Sequence, residues 1–269
     1  MDKKKQLLIL EYHLVDSCNL NCASCSHYSS LVERNTYTKL DKLTNDLSLL
    51  KNKVGDNLHM LRLLGGEPLL HPQICECLKV VRNLFPNAKI LLVTNGLMLP
   101  KMAKEFYNVC RDNNIEIAIT DYLLIDFAST IYNLKRDGIK AISYKNSKKW
   151  KYKQLRLTEG EIDCFEKCKL KNMCNNYKDG KIYLCPHIAY IDFFNKAFKK
   201  DIRLDESDYI SLGDVNDYDD LMNKLENAKP KFCFKYCNCY DKKHPTIGDW
   251  KRTKKDIEEF CEMGKEEQP

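Results

Sequence analysis

The chain carries, at residues 7–25, the sequence LLILEYHLVDSCNLNCASC. A run of strand-forming residues, Leu7–Val15, leads into a short polar segment that holds three cysteines. The three are Cys18, Cys22 and Cys25. Thiolates are soft ligands that suit both zinc and iron–sulfur clusters. The spacing alone leaves two predictions open: a zinc site completed by a distant cysteine or by His27, and a cluster in which one iron lacks a protein ligand.

Beyond this stretch, the first 150 residues alternate between short β-rich runs and segments with a helical spacing of apolar residues. We predict strands at Leu7–Val15, Leu58–Leu64, Lys89–Thr94, Ile115–Thr120 and Ile139–Ser143. We predict helices at Leu40–Lys53, Pro72–Phe85, Lys101–Asn113 and Asp126–Asp137. This alternation indicates an α/β fold with a parallel sheet.

The composition is that of a folded protein: 43% of the 269 residues are hydrophobic and 30% are charged. That length allows one large domain, or one domain with a small appendage. The net charge of +6 is spread along the chain, so it does not indicate a nucleic-acid partner. The 14 cysteines are too many to leave unexplained, yet they are sparser than in a short disulfide scaffold.

The apolar run at Leu7–Leu10 ends at Glu11, too early for a secretory signal peptide. No apolar segment approaches the roughly 18 residues of a membrane span, so we expect no membrane association. We therefore expect the protein in the reducing cytoplasm, where cysteine clusters bind metals more often than they form disulfides.

A second unit is predicted from residue 151, which divides the chain into domains at 1–150 and 151–269. Here the alternation fades and further cysteines appear. The dipeptide Asp179–Gly180 lies between strand formers, and this pattern predicts a hairpin that leads into Cys185. We expect the charged end of the chain, from Lys251, to be frayed or helical and solvated.

The first cysteine segment resembles radical SAM enzymes, whose motif C-x3-C-x2-C follows the first strand of a partial (β/α)6 TIM-like barrel. The resemblance implies that Cys18, Cys22 and Cys25 are the catalytic cysteines. They would hold a [4Fe–4S] cluster whose open iron binds S-adenosyl-L-methionine (SAM) and whose electron cleaves it to a 5′-deoxyadenosyl radical. One departure is Ser24, where the family commonly has an aromatic residue near the adenine; Tyr28 and His27 are candidate substitutes.

Two further segments match the same family. Gly65, Gly66 and Glu67 follow the second strand as its GGE segment, which the resemblance assigns to the aminoacyl end of SAM. Thr94 and Asn95 end the third strand, in a position near the bound nucleoside or substrate. Active-site groups of barrels collect at the carboxyl ends of strands, so Asp121 and Ser143 are also candidates, Ser143 as a cofactor-binding residue.

The later cysteines resemble the SPASM or shorter twitch extension of radical SAM enzymes, in which a hairpin presents ligands to an auxiliary [4Fe–4S] cluster. Our first ligand set is Cys168, Cys174 and Cys185 with Cys233 or Cys237. The second is Cys168 and Cys185 with both Cys233 and Cys237. Cys164 also fits the spacing, Cys239 stays a further candidate, and a four-cysteine structural zinc site is the alternative.

This resemblance implies an oxidoreductase or epimerase that abstracts hydrogen from a small polar substrate such as a sugar, nucleotide-sugar or polyol, with oxidation, epimerisation or deoxygenation as the outcome. The alternative substrate is a ribosomally made peptide. A noncatalytic iron–sulfur electron carrier is the alternative of another class, and it would not explain Gly65, Gly66 and Glu67. The resemblance also implies a flavodoxin- or ferredoxin-type electron donor.

Overall fold

The protein is an α/β structure built around one large sheet. The structure is a computed structural model that describes residues 7–122, 125–145, 150–157, 165–166, 168, 170–238 and 246–263. Among these residues, no helix is long and apolar enough to cross a membrane.

The predicted elements of the first half are confirmed, with shifts of a few residues at their ends. The strands are β1 (Leu8–Val15), β2 (Leu58–Gly65), β3 (Lys89–Thr94), β4 (Ile115–Asp121) and β5 (Ala141–Lys145). The helices are α1 (Leu40–Val54), α2 (Ile74–Leu84), α3 (Lys104–Asp112) and α4 (Ala128–Arg136).

The second half contains shorter elements. Its strands are β6 (Trp150–Tyr152), β7 (Leu155–Arg156), β8 (Asn175–Lys178), β9 (Lys181–Tyr183), β10 (Tyr209–Ser211), β11 (Thr246–Gly248) and β12 (Cys261–Glu262). Its helices are α5 (Pro186–Ala189), α6 (Ile191–Phe198), α7 (Tyr218–Asn227) and α8 (Lys231–Tyr236).

Hydrophobic spacing explains the packing of the first half. All but one residue of β1 are buried, as expected for a parallel strand that is covered on both faces. Helix α1 buries Leu43, Leu47, Leu50 and Val54, whose spacing of three to four residues places them on one face.

The strand order is β10-β9-β8-β1-β2-β3-β4-β5. Strands β1 to β5 are parallel neighbours in chain order, but no sixth βα unit follows β5 among the described residues. Instead, β8 from the second half pairs parallel with the free edge of β1. The predicted α/β fold with a parallel sheet in the first half is confirmed, while the partial (β/α)6 barrel stays a prediction. Pairing with β8 satisfies the edge of β1, which would otherwise expose backbone donors and acceptors.

A buried polar contact fastens β8 to the first half. Asn176 Nδ2 donates to Glu11 Oε2 at 3.2 Å, and Arg62 Nη1 donates to Glu11 Oε1 at 3.1 Å. Burial raises the pKa of Glu11, and the positive charge of Arg62 opposes that rise. The sheet is thus continuous across residue 150, while the division into two domains there stays a prediction.

The hairpin predicted around Asp179–Gly180 is confirmed, since β8 and β9 pair antiparallel. Both turn residues have positive φ, 52° and 71°, as a type I′ turn requires.

The prediction of a frayed or helical and solvated end from Lys251 is wrong for the end of the described segment, at residues 259–263, although most charged side chains before it are exposed; residues 264–269 lie outside the described residues. Phe260 and Cys261 are buried, and β12 pairs with β7. Backbone bonds also join Lys251 and Thr253 to the loop that follows β1. The charge of this segment was a poor guide to its structure, because some of its apolar side chains are buried and its backbone groups form hydrogen bonds with the rest of the fold.

Backbone hydrogen bonds hold the ends of β1 and β2 in close contact. The Gly66 amide donates to the Val15 carbonyl at 2.7 Å, and the Glu67 amide donates to the Ser17 carbonyl at 3.1 Å. A Cβ on Gly66 would lie 2.1 Å from the Ser17 carbonyl oxygen. The backbone of this chain itself therefore requires a glycine at position 66.

We predict that Gly66→Ala lowers the free energy of unfolding by about 1–3 kcal/mol, because the added methyl group must displace the end of β1. Chemical denaturation followed by circular dichroism measures the change. Gly213→Ala is the matched control, since its Cβ would meet Ser211 Oγ only at 3.4 Å. Equal stabilities of the two variants would contradict the prediction.

Candidate active site and iron–sulfur centre

The cysteine loop follows β1 and folds back through several tight turns. Asn21, Ser24 and Tyr28 all have φ between 52° and 55°, a region that non-glycine residues adopt infrequently. The Tyr28 amide donates to the Cys25 carbonyl at 2.9 Å. These turns bring the three thiols to one cavity.

The cavity has a volume of about 210 Å³, and its wall unites most of the predicted residues. The predicted members are Cys18, Cys22, Cys25, Gly65, Gly66, Thr94 and Asn95. Sequence reasoning missed other lining residues, which include Ser29, Ser30, Thr120, Tyr122 and Trp150. Thr120 and Tyr122 lie at the carboxyl end of β4, a position that could have indicated them, whereas no sequence pattern pointed to Trp150.

Three other candidates lie away from this wall. Ser143 is on β5, and its hydroxyl is buried with no hydrogen-bond partner in the part of the chain that the structure describes. Asp121 is buried at the end of β4. Tyr28 is packed among aromatic rings and bonds to His187, so of the two substitutes for the missing aromatic residue only His27 reaches the cavity.

Glu67 is fully buried, and its carboxylate bonds to neighbouring protein groups rather than lining the cavity. Oε1 accepts from the Leu69 amide at 3.0 Å and from Thr94 Oγ1 at 2.6 Å. Oε2 accepts from the Asn95 amide at 2.8 Å. Burial raises the pKa of Glu67 to about 7, and these three donors oppose the rise. The carboxylate thus joins the ends of β2 and β3, and its assignment to the SAM amino group stays a prediction.

Asn95 connects the end of β3 to the cysteine loop. Its Nδ2 donates to Asn19 Oδ1 at 2.7 Å and lies 3.8 Å from Cys18 Sγ. Its Oδ1 accepts from the Leu97 amide at 3.0 Å, which fixes the orientation of the side chain. Asn95 therefore holds the first cysteine in place.

The surroundings of the thiols fit an iron–sulfur cluster. Burial raises the pKa of Cys18 to about 12 and also raises the pKa of Cys22 and Cys25. Backbone amides oppose this: Leu20 N donates to Cys18 Sγ at 3.4 Å. The buried hydroxyls of Ser29 and Ser30 are also on the cavity wall; Ser29 acts as a donor that lowers the pKa of Cys25, and Ser30 has no hydrogen-bond partner among the described residues. Three soft ligands, amide donors and hydroxyls suit a cluster with a polar cofactor beside it.

No three His, Cys, Asp or Glu side chains in the described part of the chain converge closely enough to hold a single metal ion. A cubane makes a different demand, because each of its cysteines binds a different iron.

A chain of side chains, missed by sequence reasoning, leads from this cavity to a second one. His27 Nδ1 lies 2.8 Å from His13 Nε2, and His13 Nδ1 lies 2.8 Å from Asp16 Oδ1. His27 lines the first cavity, while His13 and Asp16 line the second. His13 also stacks on Tyr190 with ring centroids 3.7 Å apart.

The later cysteines form a second group. Burial raises the pKa of Cys185, and so do the nearby Cys233, Cys237 and Cys174, in that order. Cys168 in turn raises the pKa of Cys174. Cys233, Cys237 and Cys174 thus lie near Cys185, and Cys168 lies near Cys174. Cys164 and Cys239 lie outside the described residues.

We predict that Glu67→Gln lowers the free energy of unfolding by about 1–3 kcal/mol, because one backbone donor would face an amide NH₂ group instead of an oxygen. Denaturant titration measures the loss. Glu76→Gln, on the exposed face of α2, is the control and should stay within about 0.5 kcal/mol of the wild type. Equal effects of the two changes would show that the Glu67 contacts contribute nothing.

Comparison with known proteins gives three findings. Residues 10–126 match a family described as a 4Fe-4S single cluster domain. GTP 3′,8-cyclase from Trichodesmium erythraeum is 36% identical over 117 residues, which cover 42% of this chain and 35% of the relative. GTP 3′,8-cyclase from Microcystis aeruginosa is 33% identical over 105 residues, which cover 38% of this chain and 31% of that relative. The chain thus spans about a third of the length of these relatives.

A solved structure, BtrN in an open conformation, superposes with a TM-score of 0.51 at 16% identity, over 91% of this chain and 97% of that one. This likeness concerns the fold alone. The match to a 4Fe-4S cluster domain includes Cys18, Cys22 and Cys25, the three cysteines that line one cavity.

Proposed function

We propose that the chain is a radical SAM enzyme that binds a [4Fe–4S] cluster through Cys18, Cys22 and Cys25. The observation that carries the proposal is that these thiols share one cavity with Gly65, Gly66 and Asn95. When bound, the cluster would supply the electron that cleaves SAM to a 5′-deoxyadenosyl radical. A flavodoxin- or ferredoxin-type protein is the proposed source of that electron.

The residues of this chain would bind and orient the cofactor. The backbone of Gly65 and Gly66 lines the cavity, and the buried hydroxyl of Ser30, which has no partner among the described residues, would bond a polar ligand. Tyr122 and Trp150 would exclude water from the remaining side, which protects a reactive radical from quenching.

The proposed substrate is a small polar molecule such as a sugar, nucleotide-sugar or polyol, which the enzyme would oxidise, epimerise or deoxygenate. The hydroxyl and amide groups on the wall favour a ligand with many hydrogen-bonding groups.

We predict that the anaerobically reconstituted protein, given SAM and dithionite, releases 5′-deoxyadenosine, and that Cys18/Cys22/Cys25→Ala abolishes the release because no cluster can form. Mass spectrometry quantifies the product. Cys75→Ala, on α2 and outside the cavity, is the control and should retain the wild-type rate. Adding the small-molecule fraction of a cell extract should increase the yield.

Cleavage at the wild-type rate in the triple variant would refute the radical SAM proposal. A wild-type protein that binds iron and exchanges electrons without cleaving SAM would instead be an electron carrier. Stimulation by the peptide fraction alone would favour peptide maturation.

We also propose that the second cysteine group binds an auxiliary [4Fe–4S] cluster, in the manner of a twitch or SPASM extension. Support comes from the mutual proximity of Cys185, Cys233 and Cys237 and from the position of Cys174 directly before β8. The elements that carry them differ from the loop that carries Cys18. Loss of one site need not empty the other.

We predict that Cys18/Cys22/Cys25→Ala retains about four irons per chain and its visible absorption, because the auxiliary site keeps its ligands. Adding Cys185→Ala should remove this iron and destabilise the C-terminal region, since a multi-ligand site contributes to folding. Elemental analysis measures the iron and zinc content of each variant. About one zinc and no iron in the triple variant would identify a structural zinc site instead.

A further inference from the structure

The segment of residues 246–253, which we call the C-terminal strap, crosses the loop that carries the first three cysteines. Strand β11, at its start, pairs antiparallel with β6. The Ala23 amide donates to the Lys251 carbonyl at 3.0 Å, and the Thr253 amide donates to the Asn21 carbonyl at 2.9 Å. Cys22 itself forms an isolated antiparallel bridge with Arg252. The strap is therefore part of the structure that positions Cys22.

The strap places Trp250 in an aromatic group at the cavity. The Trp250 ring lies 5.9 Å from that of Tyr122, which lies 5.7 Å from that of Trp150. Trp150 Nε1 donates to the Ala23 carbonyl at 2.5 Å. Trp250 Nε1 is also buried, but within the described part of the chain it has no hydrogen-bond partner of normal geometry.

The Trp250 N–H is directed at Cys22 without forming a hydrogen bond of normal geometry. The strap pairs with Cys22 through Arg252, and Trp250 and Tyr122 both act as donors that lower the pKa of Cys22, against the larger effect of burial. A thiol is a weak acceptor, whereas a thiolate that ligates iron carries charge and accepts far better. Binding of a cluster by Cys22 would therefore strengthen the hydrogen bond from Trp250.

We propose that the indole N–H of Trp250 donates a hydrogen bond to the Cys22 sulfur of the cluster-bound enzyme, and that this bond raises the reduction potential of the cluster. The proposal rests on the proposed function, because it requires a cluster at Cys18, Cys22 and Cys25. Hydrogen bonds to cluster sulfurs raise the potential since they withdraw charge from the ligand and favour the reduced state. Trp250 is thus a positioning residue that acts through Cys22.

The test compares Trp250→Phe with Trp150→Phe in the holoenzyme reconstituted with iron and sulfide. Both variants exchange an indole for a phenyl ring beside Tyr122. The N–H of Trp250 is directed at the Cys22 sulfur, whereas the N–H of Trp150 bonds to the Ala23 carbonyl. At a fixed applied potential we expect Trp250→Phe to lower the ratio of reduced to oxidised cluster about tenfold, equivalent to about 59 mV for one electron. Trp150→Phe should change the ratio far less. Redox titration followed by electron paramagnetic resonance measures both.

A second readout is independent of the potential. The chain has only 2 tryptophans, so labelling with indole-¹⁵N tryptophan adds two nitrogens. We expect a ¹⁵N coupling to the reduced cluster in pulsed resonance spectra, lost in Trp250→Phe and retained in Trp150→Phe.

The outcomes separate this inference from the proposed function. A wild-type protein without iron at Cys18, Cys22 and Cys25 would refute the proposed function. A full complement of iron with equal potentials in the wild type and Trp250→Phe, or equal shifts in both variants, would overturn the Trp250 inference alone. Retention of the ¹⁵N coupling in Trp250→Phe would also overturn it.

Discussion

The buried carboxylate of Glu67 is the contact on which the geometry of the cavity depends. Its two oxygens bind the Leu69 amide, the Thr94 hydroxyl and the Asn95 amide, and so hold the ends of β2 and β3 together. Asn95 then extends the connection to Asn19 in the cysteine loop. The carboxylate thereby links two neighbouring strand ends, and Asn95 links them to the loop that follows β1. A shift of the end of β2 or β3 would leave a buried donor without an acceptor.

The position of β8 beside β1 connects the two cysteine groups. Strand β1 leads into the loop of Cys18, and its neighbour β8 begins directly after Cys174. The contact of Asn176 with Glu11 fixes this pair in the core. A change at the second cysteine group that displaced β8 would therefore reach the first through the backbone of adjacent strands. A bound auxiliary cluster would stabilise the same edge of the sheet.

The electrostatics of the first site favour metal over free thiolates. Burial raises the pKa of Cys18, Cys22 and Cys25, so three adjacent thiolates would be unstable without positive charge. Iron would supply that charge and displace the protons. The donors around the thiols, among them the Leu20 amide and the Trp250 indole, would then compensate the negative charge that remains on sulfur. Burial and donors thus have opposite effects on the thiolates, and a bound metal would favour the deprotonated form.

The sequence alone determined the local elements. Apolar periodicity placed the strands and helices of the first half within a few residues, since such patterns report which face of an element is buried. The hairpin at Asp179–Gly180 was equally readable, because its turn requires residues that tolerate positive φ. The sequence also indicated part of the candidate site, namely the spacing of Cys18, Cys22 and Cys25 and the Gly65–Gly66 pair. These residues could be recognised because they are close together in the chain or follow consecutive strands.

Only the tertiary structure decided which distant segments complete the site. The pairing of β8 with β1, the approach of Trp150 and Trp250 to the cysteine loop, and the inward turn of Glu67 all depend on contacts between residues far apart in the chain. Residues 251–263 show this most clearly, because their charge suggested exposure while Phe260 and a few backbone bonds anchor them. Periodicity records which face of an element is buried but carries no information about which partner covers it, and that choice is made by packing over the whole fold.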